Sequence, residues 1–143
     1  SEIKNVFRYV IVVNTTEEKV KKIVSQIEKQ VDVIKAFYHT DKETIFQESA
    51  LYKVKSSSLF EQRHIQNVIK NSNANIVTVS PEYFVIEKTG FRHETEQLYK
   101  DLEPYGLLQF VRSGRISVTK SKMGISDILN TFKGNNYKKK KNE

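Results

Sequence analysis

The chain has 143 residues, 38% of them hydrophobic and 29% charged, a balance that suits one ordered domain or two small ones and not a disordered chain. Its longest unbroken apolar run, Tyr9–Val13, is far too short to cross a bilayer, and with no cysteine there is neither a disulfide framework nor thiolate chemistry. The net charge of +7 is partly local: the final KKKKNE holds +3, which leaves +4 for the other 137 residues, so the body is mildly basic and the lysine run reads as a solvated tail.

In chain order, Arg8–Val13 reads as a strand. Thr15 and Glu18 then stand at capping-box spacing, and Val20, Ile23, Val24 and Ile27 recur on one helical face. Val31–Phe37 reads as a closing strand, and Thr40–Glu48 as a polar connection. In Ser49–Lys55, Ala50, Tyr52 and Val54 alternate at period two, the mark of a half-buried strand. Ser58 and Glu61 form a second capping box, opening a helix that carries Ile65, Val68 and Ile69 and ends at Asn71–Asn75. Ile76–Val79 and Tyr83–Ile86 read as a hairpin turned at Ser80-Pro81-Glu82, with Pro outside the strands. After a break at Thr89-Gly90, Phe91, Thr95, Leu98 and Leu102 make one stripe of an amphipathic helix. Glu103–Gly106 stops it, and Leu107–Arg112 is a last strand. Ser126 to Phe132 reads as a short docking helix, followed by a tail.

The order across about 49–119 is β-α-β-β-α-β, the ferredoxin-like arrangement of one antiparallel sheet with both helices on one face. Setting Val10–Phe37 about 75 positions ahead aligns it with Val85–Arg112, and such self-similarity points to duplicated units. The first unit holds only the latter β-α-β and is therefore expected to be incomplete, with a fragment the favoured account. The expected fold class is α+β with tandem ferredoxin-like units.

Chemistry is sparse. The glycines, Gly90, Gly106, Gly114, Gly124 and Gly134, are too far apart for a phosphate cradle. His39, His64 and His93 are widely separated and find only Glu43, Asn67 and Glu96 or Gln97 at helical spacing, which is no metal set. Ser56-Ser57-Ser58 has no implied base, and Glu17/Glu18 and Glu94/Glu96 sit in first helical turns, where the helix dipole favours them. Arg112 and Arg115 flank Ser113-Gly114 and could hold an anion, although an exposed basic strand end is the simpler account. Seven tyrosines and eight phenylalanines raise an RNA reading, yet the aromatic signature of RNA-binding sheets is missing and the strand EYFVIEK is acidic at both ends. The residues therefore give no catalytic, cofactor-binding or metal-binding set. They suit a ligand-sensing or subunit-binding module, with a basic ferredoxin-like nucleic-acid-binding module as the alternative.

Four stretches, VIVVNTTEEKVKKIVSQIEKQVDVIKAF, ESALYKVK, ANIVTVSPEYFVIEKTG and LEPYGLLQFVRSGRISV, together resemble the small, regulatory subunit of acetolactate (acetohydroxyacid) synthase, over about 7–119. The resemblance implies that 1–39 is the C-terminal half of an ACT domain, 40–48 a linker, 49–119 a second ferredoxin-like domain and 120–143 a short helix and basic tail. It implies a homodimer paired through ACT domains, valine as effector, and a separate large catalytic subunit carrying thiamine diphosphate, Mg2+ and FAD. The small subunit would activate that enzyme and confer feedback inhibition in branched-chain amino-acid biosynthesis. The family's effector loop precedes the first matched residues, and KSSSLF, its counterpart in the second unit, has no glycine. No effector-binding residue is therefore carried over to this chain. The usage of 19 Lys, 13 Ile and 10 Asn against 3 Ala fits AT-rich codons, so the expected location is a plastid (the chloroplast stroma) or the cytoplasm of an AT-rich bacterium.

Overall fold

The alternation in the central segment dictates a strand that is apolar on one side, and such a strand is stable only with paired neighbours and helices over its apolar face. The structure, a computed structural model, describes residues 4–61 and 63–122, without side chains at 60, 61 and 63. These form two compact units, one of residues 4–10 with 46–117 and one of residues 11–45 with 118–122.

The sheet of the first unit has strands β1 (Thr44–Lys55), β2 (Asn75–Val79), β3 (Tyr83–Gly90) and β4 (Leu107–Thr119) in the order β2-β3-β1-β4. That is the ferredoxin-like order, with β1 antiparallel to β3 and β3 antiparallel to β2. Along β1 the even positions from Glu48 to Val54 are buried while the odd ones are not. Ala50, Tyr52 and Val54 pair across to Lys88, Ile86 and Phe84, and this face meets α3 (Arg63–Asn71) and α4 (Arg92–Leu102). The core is one cluster of Ala50, Tyr52, Val54, Ile65, Ile69, Phe84, Ile86, Leu98 and Leu102. Burying each large member stabilises the fold by about 1.5–3 kcal/mol before chain entropy is counted.

Several boundaries differ from the sequence reading. β1 begins at Thr44, inside the stretch read as a polar connection, because Phe46 and Glu48 continue the core-facing parity of Ala50 and Tyr52. At its other end the strand stops at Lys55 as expected, but α2 (Ser56–Glu61) follows it directly and starts earlier than a Ser58 N-cap would place it. Ser58 therefore lies within the helix, where its hydroxyl donates to the Tyr105 carbonyl, and Ser56 Oγ donates to the Ser80 carbonyl at 2.6 Å. The hairpin forms as expected, with the Ser80 N–H bonded to the Tyr83 carbonyl at 2.8 Å. Between Ile76 and Thr78 the ladder shifts by one residue, leaving Val77 as the bulge. β3 continues through Thr89 and Gly90, past the expected break.

In the second unit, α1 (Glu17–Glu28) forms where the stripe Val20, Ile23, Val24 and Ile27 predicts it, and these residues are half-buried. The Thr15/Glu18 capping box does not form. Thr16 is the N-cap and makes no side-chain cap bond, and Glu17 instead pairs with Lys21 at 2.7 Å and accepts the Tyr38 hydroxyl at 3.1 Å. No strand is assigned to 8–13 or 31–37, because a strand exists only through a ladder and no described segment pairs with either. Residues 40–43 close a 3-10 turn in which the Glu43 carboxylate accepts both the Thr40 N–H and its hydroxyl at 2.7 Å. The Lys120 N–H bonds back to the Glu43 carbonyl at 2.9 Å. The helix expected from Ser126 to Phe132 lies outside the described residues.

Candidate functional site

A carboxylate on the core face of a strand must be answered by protein groups, because an unpaired buried charge is costly. Glu48 holds such a position with 9% of its surface exposed, and Lys88 on β3 is as buried, at 7%. Both lie under the first turns of α4, where Glu94, Thr95 and Glu96 come down toward the sheet. The buried Thr95 hydroxyl donates to Glu48 Oε1. Arg112 Nη1, from β4, reaches Glu48 at 3.5 Å and Glu96 at 3.2 Å. Arg92 Nε closes the chain on Glu96 at 2.8 Å. On β3, Lys88 approaches Glu94 at 3.6 Å, while Glu94 also accepts the Phe91 N–H at 2.6 Å and so caps α4.

The result is a polar layer that ties one helix end to three adjacent strands. Below it, the Tyr52 hydroxyl donates to the Thr95 carbonyl at 2.7 Å and the Tyr52 ring stacks on Phe110. Burial, reinforced by the Glu48 carboxylate, pushes the Tyr52 phenol well above its ordinary range.

The electrostatics follow these contacts. Hydrogen bonds from Arg92 and then Arg112 hold the Glu96 carboxyl below its ordinary pKa. The Phe91 N–H first, and then the Lys88 charge, do the same for Glu94 against a desolvation that acts the other way. A carboxyl whose folded pKa is depressed adds stability above its unfolded pKa and loses it as pH falls through the folded value. The melting temperature is therefore expected to stay flat from neutrality to about pH 5 and to fall below about pH 4, near the ordinary carboxylate values. Glu96→Gln should flatten part of that acid limb in a pH series of thermal melts. An unchanged limb would assign it to other carboxylates.

The residues singled out in the sequence end up as follows. Arg112 and Arg115 are three apart, so simple alternation would send them to opposite faces. Gly114, at φ +76°, breaks the alternation, and Arg115 lies over the Phe46 ring at 3.9 Å, on the same face as Glu48. Each arginine has its own partner, and the pair does not converge on an anion site. His39 meets Phe37 edge-on with its Nε2 buried and unbonded, His64 and His93 are exposed, and the three do not come together. Among the described residues no group of three or more His, Cys, Asp or Glu is placed to hold a metal ion. Ser56 and Ser58 donate to carbonyls, and Glu17 pairs with Lys21.

Sequence reasoning missed Glu48 and Lys88. Their parity with Ala50, Tyr52 and Ile86 was the available signal. A layer in which acids, bases and hydroxyls bond to one another is suited to holding a helix on a sheet, and it offers no nucleophile with a free base.

Residues 47–121 match the family model described as the small subunit of acetolactate synthase. The acetolactate synthase small subunit of Mycobacterium bovis is 32% identical over 125 residues, covering 87% of this chain and 74% of that protein. The chain belongs to the acetolactate synthase small-subunit family. The Bacillus subtilis member is 32% identical over 115 residues, covering 80% of this chain and 66% of that one. The solved acetolactate synthase small subunit of Thermotoga maritima superposes with a TM-score of 0.66 at 22% identity, covering 77% of this chain and 68% of that one, and it supports the fold. The polar layer thus lies wholly within the segment that defines the family, since Glu48, Lys88, Thr95 and Arg112 all fall inside 47–121.

Proposed function

We propose that this chain is the regulatory subunit of an acetolactate synthase, without catalytic residues of its own. It docks on the large catalytic subunit, raises its activity and takes part in valine feedback inhibition. The observation that carries this reading is the 32% identity across 87% of the chain. The internal pairing of the polar layer supports a binding role over a chemical one. In this reading residues 1–39 are the latter half of an ACT domain in a tandem arrangement, and homodimers form through ACT domains. Thiamine diphosphate, FAD and Mg2+ sit on the large subunit, which condenses two pyruvates to acetolactate with loss of CO2. The relatives named above are bacterial, which favours a bacterial cytoplasm over a plastid.

Regulation then follows from linkage. An effector or subunit alters the catalytic partner only through unequal affinity for its states, typically by about 1–3 kcal/mol. Acetolactate formation by the cognate large subunit, measured with and without this chain at increasing valine, is the test. A gain of roughly tenfold corresponds to about 1.4 kcal/mol in the barrier and is the expected scale. No change in rate with a folded chain at saturating concentration would remove the proposal.

A further inference from the structure

We propose that the first half of α4, residues 92–97, is a latch that lifts from the sheet by itself while the second half, residues 98–102, stays seated. The two halves are held by different forces. Leu98 and Leu102 are buried in the core, and the Tyr99 ring meets Phe110 at 5.0 Å. Just past the helix end, the Tyr105 carbonyl accepts the Ser58 hydroxyl and the Gly106 carbonyl accepts the Lys55 N–H at 3.2 Å. This end is therefore tied down by apolar packing and by backbone.

Residues 92–97 read RHETEQ and include no apolar side chain, and Thr95 is the buried one among them. Their attachments are polar: Thr95 to Glu48 on β1, Glu94 to Lys88 on β3 and Glu96 to Arg112 on β4, with the Tyr52 hydroxyl on the Thr95 carbonyl. Phe91, at the N-cap, meets Phe46 edge-on but is 45% exposed. Water takes up ions and hydroxyls that part from one another, whereas apolar surface gains nothing when it is uncovered. A segment with few buried apolar contacts opens at a free energy below that of global unfolding.

The latch has a close-cut seat. A Cβ built on Gly90 would stand 2.5 Å from Glu94 Oε2, so the carboxylate reaches the Phe91 N–H and Lys88 because position 90 has no side chain. Gly90 is not in the left-handed region, and alanine there pushes the carboxylate off its partners without removing a charge. A domain with such an opening has a second state, and a partner that binds one state better than the other shifts the balance between them.

The chain has no cysteine, so a single buried thiol can report the opening. Ala50 lies on the helix face between Glu48 and Tyr52, the two β1 residues bonded to Thr95. Val54 lies at the other end of α4, beside the Lys55 contact to Gly106. Both are fully buried. Ala50→Cys and Val54→Cys are labelled with a chromogenic disulfide reagent across a low urea series, and each rate is divided by that of the unfolded chain. Ala50→Cys should react at least about tenfold faster than Val54→Cys, with a weaker dependence on urea because a local opening exposes less surface. Adding Gly90→Ala should widen that ratio by roughly tenfold, the scale of one lost hydrogen bond to a charged group. Equal normalised rates with the same urea dependence would overturn the proposal, since α4 would then leave only with the whole fold. A Gly90→Ala effect equal at both reporters, or absent at Ala50→Cys, would overturn it as well. The readout needs no catalytic subunit, so it stands apart from the activity assay.

Discussion

Phe84→Ala is expected to cost about 3–5 kcal/mol of folding stability. Phe84 is fully buried on β3, pairs with Val54 on one side and Val79 on the other, and belongs to the core cluster. Truncation removes its transfer free energy and leaves a void that two flanking strands, fixed by their ladders, can close only in part. Domains of this kind are stable by about 5–15 kcal/mol in total, so the loss is a large share. In urea unfolding the midpoint should fall steeply while the slope is kept, since the exposed surface on unfolding hardly changes. A loss under about 1 kcal/mol would mean that Phe84 is not at the centre of the packing.

Arg112→Met should cost about 3 kcal/mol, because it leaves the Glu48 carboxylate buried with only the Thr95 hydroxyl to answer it. Glu96 also loses a partner but keeps Arg92 and lies nearer to water. The informative comparison is with the double variant Glu48→Met plus Arg112→Met. Replacing both members of a buried pair by apolar groups is often close to neutral, so the double variant should be more stable than Arg112→Met alone. The double-mutant cycle then returns a coupling energy of the order of 1–3 kcal/mol. Additive losses would show that Arg112 contributes by packing on Phe110, 5.6 Å away, and not by its charge.

The parts of the fold legible in the sequence were those fixed by local periodicity. The hairpin around Pro81 and the stripe Phe91, Thr95, Leu98 and Leu102 follow from spacing alone; the last three are buried in α4, while Phe91 stands at its N-cap and is exposed. Thr95 was read as a small member of an apolar stripe, but its hydroxyl serves a carboxylate 47 residues earlier in the chain, and no local pattern reports that distance. Glu48 was assigned to a connection because charge usually marks a loop, although its parity with Tyr52 pointed inward. For Arg112 and Arg115 the intervening Ser-Gly was the clue, since a glycine in a strand often marks a bulge that resets alternation. The apolar runs at 8–13 and 31–37 have strand composition, yet composition does not supply a pairing partner.

The strand order has a bearing on how the chain assembles during synthesis. β1 is the first strand of its sheet to be made, yet both its neighbours, β3 and β4, come later. The Arg112 contact to Glu48 spans 64 residues, and the closure of so long a segment has to precede the ion pair that rewards it. Non-local pairing of this kind slows folding relative to helical proteins of equal stability. A ribosome-bound chain that has not yet released residues 107–119 would present one edge of β1 without its neighbour, a template for pairing with other chains. Chaperone dependence and aggregation in the cell should therefore be set by the interval between the emergence of β1 and that of β4, independently of how stable the finished domain is.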